Sequence, residues 1–175
     1  KYKMKLKLSN ILQIVAAFFA ILAIVCLFLP GVSATQDLMG VPVTVSISLI
    51  GLVFGGGPLK ASGSAGGTSV NQSMDYKGGM SIFGLLAFIL LVVAIVLAIV
   101  AVVMKKSNLL IPAGAVAVVA GICVLLVMVA GTAAEGTAFK DLMEGLKLGI
   151  GSILFAVSAI LGGGLLVASK VMDTK

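Results

Sequence analysis

Four long stretches of this chain carry no Asp, Glu, Lys, Arg or His, and one shorter stretch alternates apolar with polar positions. The charge-free runs are 11–29, 80–104, 109–130 and 148–168. An α-helix rises about 1.5 Å per residue, so each run is long enough to reach across the roughly 30 Å hydrocarbon core of a bilayer. Ser9 and Asn10 read as the cap of the first run and Pro30 as its stop. The pattern predicts one membrane domain over 1–175. It consists of a first transmembrane helix 11–29, an outside β loop 31–79, helices 80–104 and 109–130, an outside loop 131–147 with a short helix, and a last helix 148–168.

In the first loop, Val41, Val43, Val45, Ile47 and Leu49 alternate with Thr44, Ser46 and Ser48, the period of a strand with one apolar face. Beyond it, Ile50, Leu52, Val53 and Phe54 are apolar on both sides. Read as one strand, 41–54 would reach about 46 Å, longer than strands usually run, so a bend or bulge is expected near Gly51. Val32 to Thr35 is the expected partner, joined through a turn at Asp37 to Gly40. The Gly/Ser/Ala-rich segment that follows, up to Gly79, reads as a flexible loop. In the second loop, Phe139, Leu142, Met143 and Leu146 fall at helical spacing among charged neighbours, with Thr137 as cap. This short helix is expected on the membrane surface or beneath the β loop.

Lipid supplies no hydrophobic drive between helices, so small residues at four-residue spacing mark close packing. The third run has Ala113, Ala117 and Gly121; the fourth has Gly149 after Gly145, then Ser152 with Ala156 and Ala159 with Gly163. These ridges are expected to pack the two helices together or against a neighbouring subunit.

Composition agrees with lipid as the solvent. Hydrophobic residues make up 61% and charged residues 10%, where a soluble domain carries about 25% charged. The formal charge of +6 comes from twelve lysines against six acids, with no Arg. Eight lysines lie before the first run, between the second and third, and after the fourth, against one acid there, Asp173. The other two loops hold four lysines and five acids. Lysine bias therefore predicts that both termini are cytoplasmic. With no basic stripe and no interleaved aromatics, no nucleic-acid partner is expected. A cleaved signal peptide is set aside because the first run exceeds an ordinary h-region of 7–15 residues. The chain starts at Lys1 rather than Met, so further residues are expected upstream.

Candidate chemistry is sparse. Cys26 and Cys123 lie inside apolar runs and read as small core residues; there is no His and no CxxC. The loops carry no cysteine, which fits a bacterial plasma membrane. No ionisable group sits at membrane depth to couple ions, and no nucleophile with a base or paired carboxylates can be assembled. No enzyme, cofactor or metal is expected. Membrane lipids and a homo-oligomer or larger membrane complex are the expected partners.

The order helix, long β-bearing loop, helix, short turn, helix, short loop, helix, with Gly51-Leu52-Val53-Phe54 in the first loop, resembles the claudin and peripheral-myelin-protein tetraspan architecture. The likeness is one of topology. That family's loop carries a Trp, a GLW and two cysteines, and this chain has neither a Trp nor a loop cysteine. The resemblance implies a non-enzymatic role in self-association, adhesion or modulation of a membrane complex.

The expected fold is thus an all-α membrane bundle of four transmembrane helices with a small β-hairpin or sheet in its first extracellular loop. The expected function is a scaffold, adhesion or accessory protein. Its association surface is an unpaired strand edge at 41–54, carrying Val43, Val45, Ile47, Leu49, Leu52 and Phe54. The alternative is an oligomeric pore or a carrier not coupled to ions, for which the helices offer few polar side chains, among them Gln13, Ser81, Ser152 and Ser158.

Overall fold

A computed structural model describes residues 8–38, 41–65, 68–77, 81–104, 106–129 and 147–173. It contains four helices long and apolar enough to cross a membrane: α1 (Leu8–Cys26), α3 (Ile82–Val103), α4 (Leu110–Val129) and α5 (Ile150–Asp173). Each lies within a few residues of a charge-free run. Ser9 and Asn10 are already helical within α1 rather than capping it. Its end tightens through bonds from Leu27, Phe28 and Leu29 N–H to carbonyls three residues back. A 3-10 turn, Ser107–Leu109, leads into α4, where Pro112 sits in the first turn, the place where its missing N–H costs nothing.

A five-stranded antiparallel sheet caps one end of the bundle. Its strands are β1 (Pro30–Leu38), β2 (Val41–Ser48), β3 (Gly56–Ala65), β4 (Thr68–Lys77) and the two-residue β5 (Lys147–Leu148), in the order β4-β3-β2-β1-β5. The register explains why. Val32, Ile47, Leu59 and Met74 fall in one row across four strands, and Ala34, Val45, Ala61 and Gln72 in the next. The alternate rows, Ser33-Ser46-Lys60-Ser73 and Thr35-Thr44-Ser62-Asn71, are polar. One face of the sheet thus continues the core while the other meets water. The Thr35 and Thr44 hydroxyls pair across the polar face at 3.1 Å.

Three expectations change. The strand does not run to Phe54: β2 stops at Ser48, and a short helix α2 (Leu49–Phe54) follows. Ile50, Leu52 and Val53 are apolar on every side because this helical turn lies between the sheet and α3. The segment 56–77, read as a flexible loop, is the β3–β4 hairpin. The turn of the first hairpin falls between Leu38 and Val41, so Asp37 and Leu38 belong to β1. The amphipathic helix expected around 137–147 lies outside the described residues except for Lys147, which is in β5.

The core crosses the boundary between sheet and bundle. Val32, Ile47, Leu49 and Leu52 from the sheet end share it with Ala23, Leu91, Val124 and Phe155 from the helices. The outward helix faces are apolar as well: Phe18 is 62% exposed, Val103 74% and Ile150 60%. Exposed apolar surface on that scale is foreign to a monomer in water.

Candidate functional site

The sheet end is a knot of backbone contacts that ties three helix ends to the strands. Helix α2 is bounded by its own sequence. The Ser48 hydroxyl accepts from Gly51 N–H at 3.3 Å at its start. Gly55 closes it in the left-handed region (φ 69°), its N–H donating to the Gly51 carbonyl. The first N–H groups of α2 donate to the end of α1, Leu49 to Leu29 O at 3.0 Å and Ile50 to Leu27 O at 2.8 Å. Ser81 N–H donates to Leu52 O at 2.9 Å, and its buried hydroxyl caps α3 by accepting from Gly84 N–H at 3.2 Å. The GLVF segment is therefore a structural junction.

A second tie joins the start of α5 to β1. The Gly31 carbonyl, at a bulge in β1, accepts from Gly149 N–H at 2.8 Å and from the buried Ser152 hydroxyl at 2.7 Å. This approach requires glycine: a Cβ on Gly149 would overlap the Pro30 carbonyl, and one on Gly151 would stand 2.8 Å from the same oxygen. Gly149 and Ser152, selected from sequence as helix-packing residues, thus hold the helix to the sheet.

The other small residues selected from sequence are consumed inside the subunit. Ala113, Ala117, Ala156 and Ala159 are all buried. A Cβ on Gly121 would meet the Ala156 carbonyl at 2.9 Å, and Gly163 faces the carbonyl of Gly114 across the α4–α5 contact. Gly114 is the other half of this contact, and it falls outside the four-residue spacing of Ala113, Ala117 and Gly121.

The expected association surface divides. Ile47, Leu49 and Leu52 are buried in the common core, Val43 and Val45 are half-buried on the apolar face of the sheet, and only Phe54 is exposed. The Phe54 ring meets Phe88 of α3 edge-on, 5.5 Å between centroids. Nor is 41–54 an unpaired edge: β2 is paired with β1 on one side and β3 on the other. At one edge of the sheet β5 covers only Val32 and Ser33 of β1; the other open edge belongs to β4. Among the described residues no strand pairs with its outer side, and Asn71, Gln72, Ser73 and Asp75 on it are exposed. A signal for this strand was present: two glycines, Gly66 and Gly67, separate the paired residues Ala65 and Thr68, the composition of a two-residue hairpin.

No family model matches the chain, and no curated protein sequence matches it. The arrangement of four apolar helices and a small antiparallel sheet is compatible with a tetraspan protein, and the likeness to claudins rests on that layout alone.

Proposed function

We propose that this chain is a non-enzymatic integral membrane protein that acts as a scaffold or accessory subunit, associating through its sheet. In this reading the four helices span a plasma membrane, the termini and the turn at Lys105 and Lys106 are cytoplasmic, and the sheet stands outside. The exposed apolar helix faces support the embedding, and the lysine distribution supports the orientation.

The observation that carries the associative role is the β4 edge. A ten-residue strand at the end of a sheet presents a row of backbone donors and acceptors, and such rows recruit another strand. On the opposite edge the two residues of β5 cover only Val32 and Ser33 of β1, so β4 offers the longer row. No proline interrupts β4, and its charges, Asp75 and Lys77, lie at its far end, leaving Thr68 to Met74 uncharged. A second copy of the chain, or a partner's extended segment, adds to this edge in antiparallel fashion.

Lysine on an edge strand blocks such addition. The test is the particle mass of purified protein in mild detergent, by light scattering, for the wild type and N71K/S73K. T44K, on the polar face of the interior strand β2, serves as control. We expect the wild type and T44K to associate and N71K/S73K to remain monomeric. Equal masses for all three would remove β4 from the argument.

A further inference from the structure

We propose that the gap between α1 and α3 is a slot for one acyl chain of an anionic phospholipid from the cytoplasmic leaflet, with the lipid phosphate held by lysine at the slot's mouth. The proposal rests on the embedding and orientation given above, and not on the β4 edge.

The helices pack in the series α3–α4–α5–α1, each against the next, while α1 and α3 at the two ends are not packed on each other. Between them lies a partly open cavity of about 390 Å³. Its floor is made of small residues of α4 and α5: Ala117, Ser158, Ala159, Gly162 and Gly163. Alanines line both walls, Ala16 and Ala20 on α1, Ala94 and Ala98 on α3. Facing small residues ordinarily let two helices close on each other. Here they leave room instead.

Size selects the occupant. A dry 150 Å³ cavity takes a benzene, so this space takes on the order of fifteen carbons. The α3 wall runs from Leu91 to Val103, about 18 Å at helical rise. That is close to the roughly 15 Å of hydrocarbon in one leaflet. Ala16 and Ala94, on opposite walls, are each only 3% exposed, so the base is narrow. A methylene chain enters such a base; a helix, about 10–12 Å across, does not.

Position and charge select the leaflet and the headgroup. On α4 the slot takes only Leu110 and Ala117, both in the first turns, on α3 it reaches Val102 and Val103 at the end, and on α5 it runs from Ser158 to Leu166. On three of its four helices it thus lies toward the lysine turn, while on α1 it runs from Gln13 to Ile24. Lys106 is exposed three residues beyond Val103. Lys170 follows Leu166 by one turn of α5 and donates to the Ser107 hydroxyl at 2.8 Å. Basic residues between helices on the cytoplasmic side meet anionic headgroups. Gln13, half-buried on the α1 wall near this mouth, is the one amide side chain of the lining and supplies donors where the ester carbonyls of a lipid sit.

The test is native mass spectrometry of the purified full chain after delipidation, titrated separately with dioleoyl phosphatidylglycerol, dioleoyl phosphatidylcholine and inorganic phosphate. We expect one retained phosphatidylglycerol per chain, preferred over phosphatidylcholine. A98F, which places a ring in the slot and leaves the α4–α5 contact alone, loses the adduct. K106Q, at an exposed position, lowers phosphatidylglycerol retention about fivefold while remaining folded by circular dichroism. N71K/S73K keeps the adduct, which separates this proposal from the role of β4. Equal retention of the two lipids, an adduct surviving A98F, displacement of the lipid by inorganic phosphate, or a lipid-free dimer lost in A98F would each overturn it. The last would make a second copy the occupant.

Discussion

Gly162, Gly163 and Gly164 follow one another on α5, so an alanine at each aims its methyl in directions about 100° apart around the helix. Their surroundings differ sharply. A Cβ on Gly163 would stand 2.5 Å from the Gly114 carbonyl oxygen, 3.0 Å from Val118 Cγ2 and 3.1 Å from Ala117 Cβ. One on Gly162 would meet Phe19 Cβ at 3.1 Å, and one on Gly164 would have nothing within 4 Å. The atom struck at Gly163 is backbone, which cannot rotate aside. To restore van der Waals separation α4 and α5 must part by roughly 1 Å, and a gap of that size forfeits up to about half of each contact it opens.

Overpacking of this kind costs about 1–3 kcal/mol, and the rigid carbonyl puts G163A near 3 kcal/mol. G162A needs only a few tenths of an ångström of give from Phe19 and should cost under about 1 kcal/mol. G164A gains helix propensity worth up to about 1 kcal/mol. The assay is unfolding in dodecyl maltoside titrated with sodium dodecyl sulfate, followed by circular dichroism. The expected stability order is G164A, wild type, G162A, G163A. Because Gly114 faces the Gly163 carbonyl in return, one separation of the helices relieves both clashes, and G114A/G163A should cost clearly less than the sum of the singles. If G163A and G164A lie within about 0.5 kcal/mol of each other, or the pair is additive, the α4–α5 contact described here is wrong.

Gly55 closes α2 at φ 69°, so G55V should destabilise the protein by about 1–2 kcal/mol in the same titration, while G55N, which tolerates that conformation, stays near wild type. S152A should cost only about 1 kcal/mol, because the Gly31 carbonyl keeps its bond from Gly149 N–H; G149A, whose methyl overlaps the Pro30 carbonyl, should cost more. For orientation, an impermeant maleimide applied to intact cells should label N71C and not N108C, since Cys26 and Cys123 are buried and give no background; label on N108C alone would invert the topology.

The helices were legible because lipid is an unforgiving solvent: a stretch without charge long enough to cross it has few other uses. The β1–β2 hairpin was legible for a similar reason. Val43, Val45 and Ile47 alternate with Thr44 and Ser46, and a shift of one residue would turn that apolar row to water. Helix α2 was not, because six residues with no polar position among them show neither period. The β3–β4 hairpin was hidden by its own composition. Leu59, Ala61 and Gly63 do fall on the apolar face, but Ala61 carries only a methyl and Gly63 no side chain, so the alternation is faint. The tie among Gly31, Gly149 and Ser152 had no local signature, since Ser152 stands 121 residues from the Gly31 carbonyl it reaches.

Those misses share a consequence for function. The small residues that looked available for association are spent within the subunit, at Gly114–Gly163, at Gly121–Ala156 and at the knot around Gly31. The apolar strand that looked like an edge is spent in the core. What the described fold leaves unsatisfied lies at its two ends: the backbone row of β4 beside the sheet, and the alanine-lined slot nearer the lysine turn. A 22-residue helix, about 33 Å long, separates the two ends. Lys106 and the β4 edge therefore stand several Debye lengths apart. Substitutions at one end should therefore leave the other unchanged, and the effects of N71K/S73K on mass and of K106Q on lipid retention should combine without coupling. Coupling between them would require α3 or α5 to shift as a rod, and the carbonyl-to-glycine contacts that pin α5 at Pro30 and at Gly114 oppose that motion.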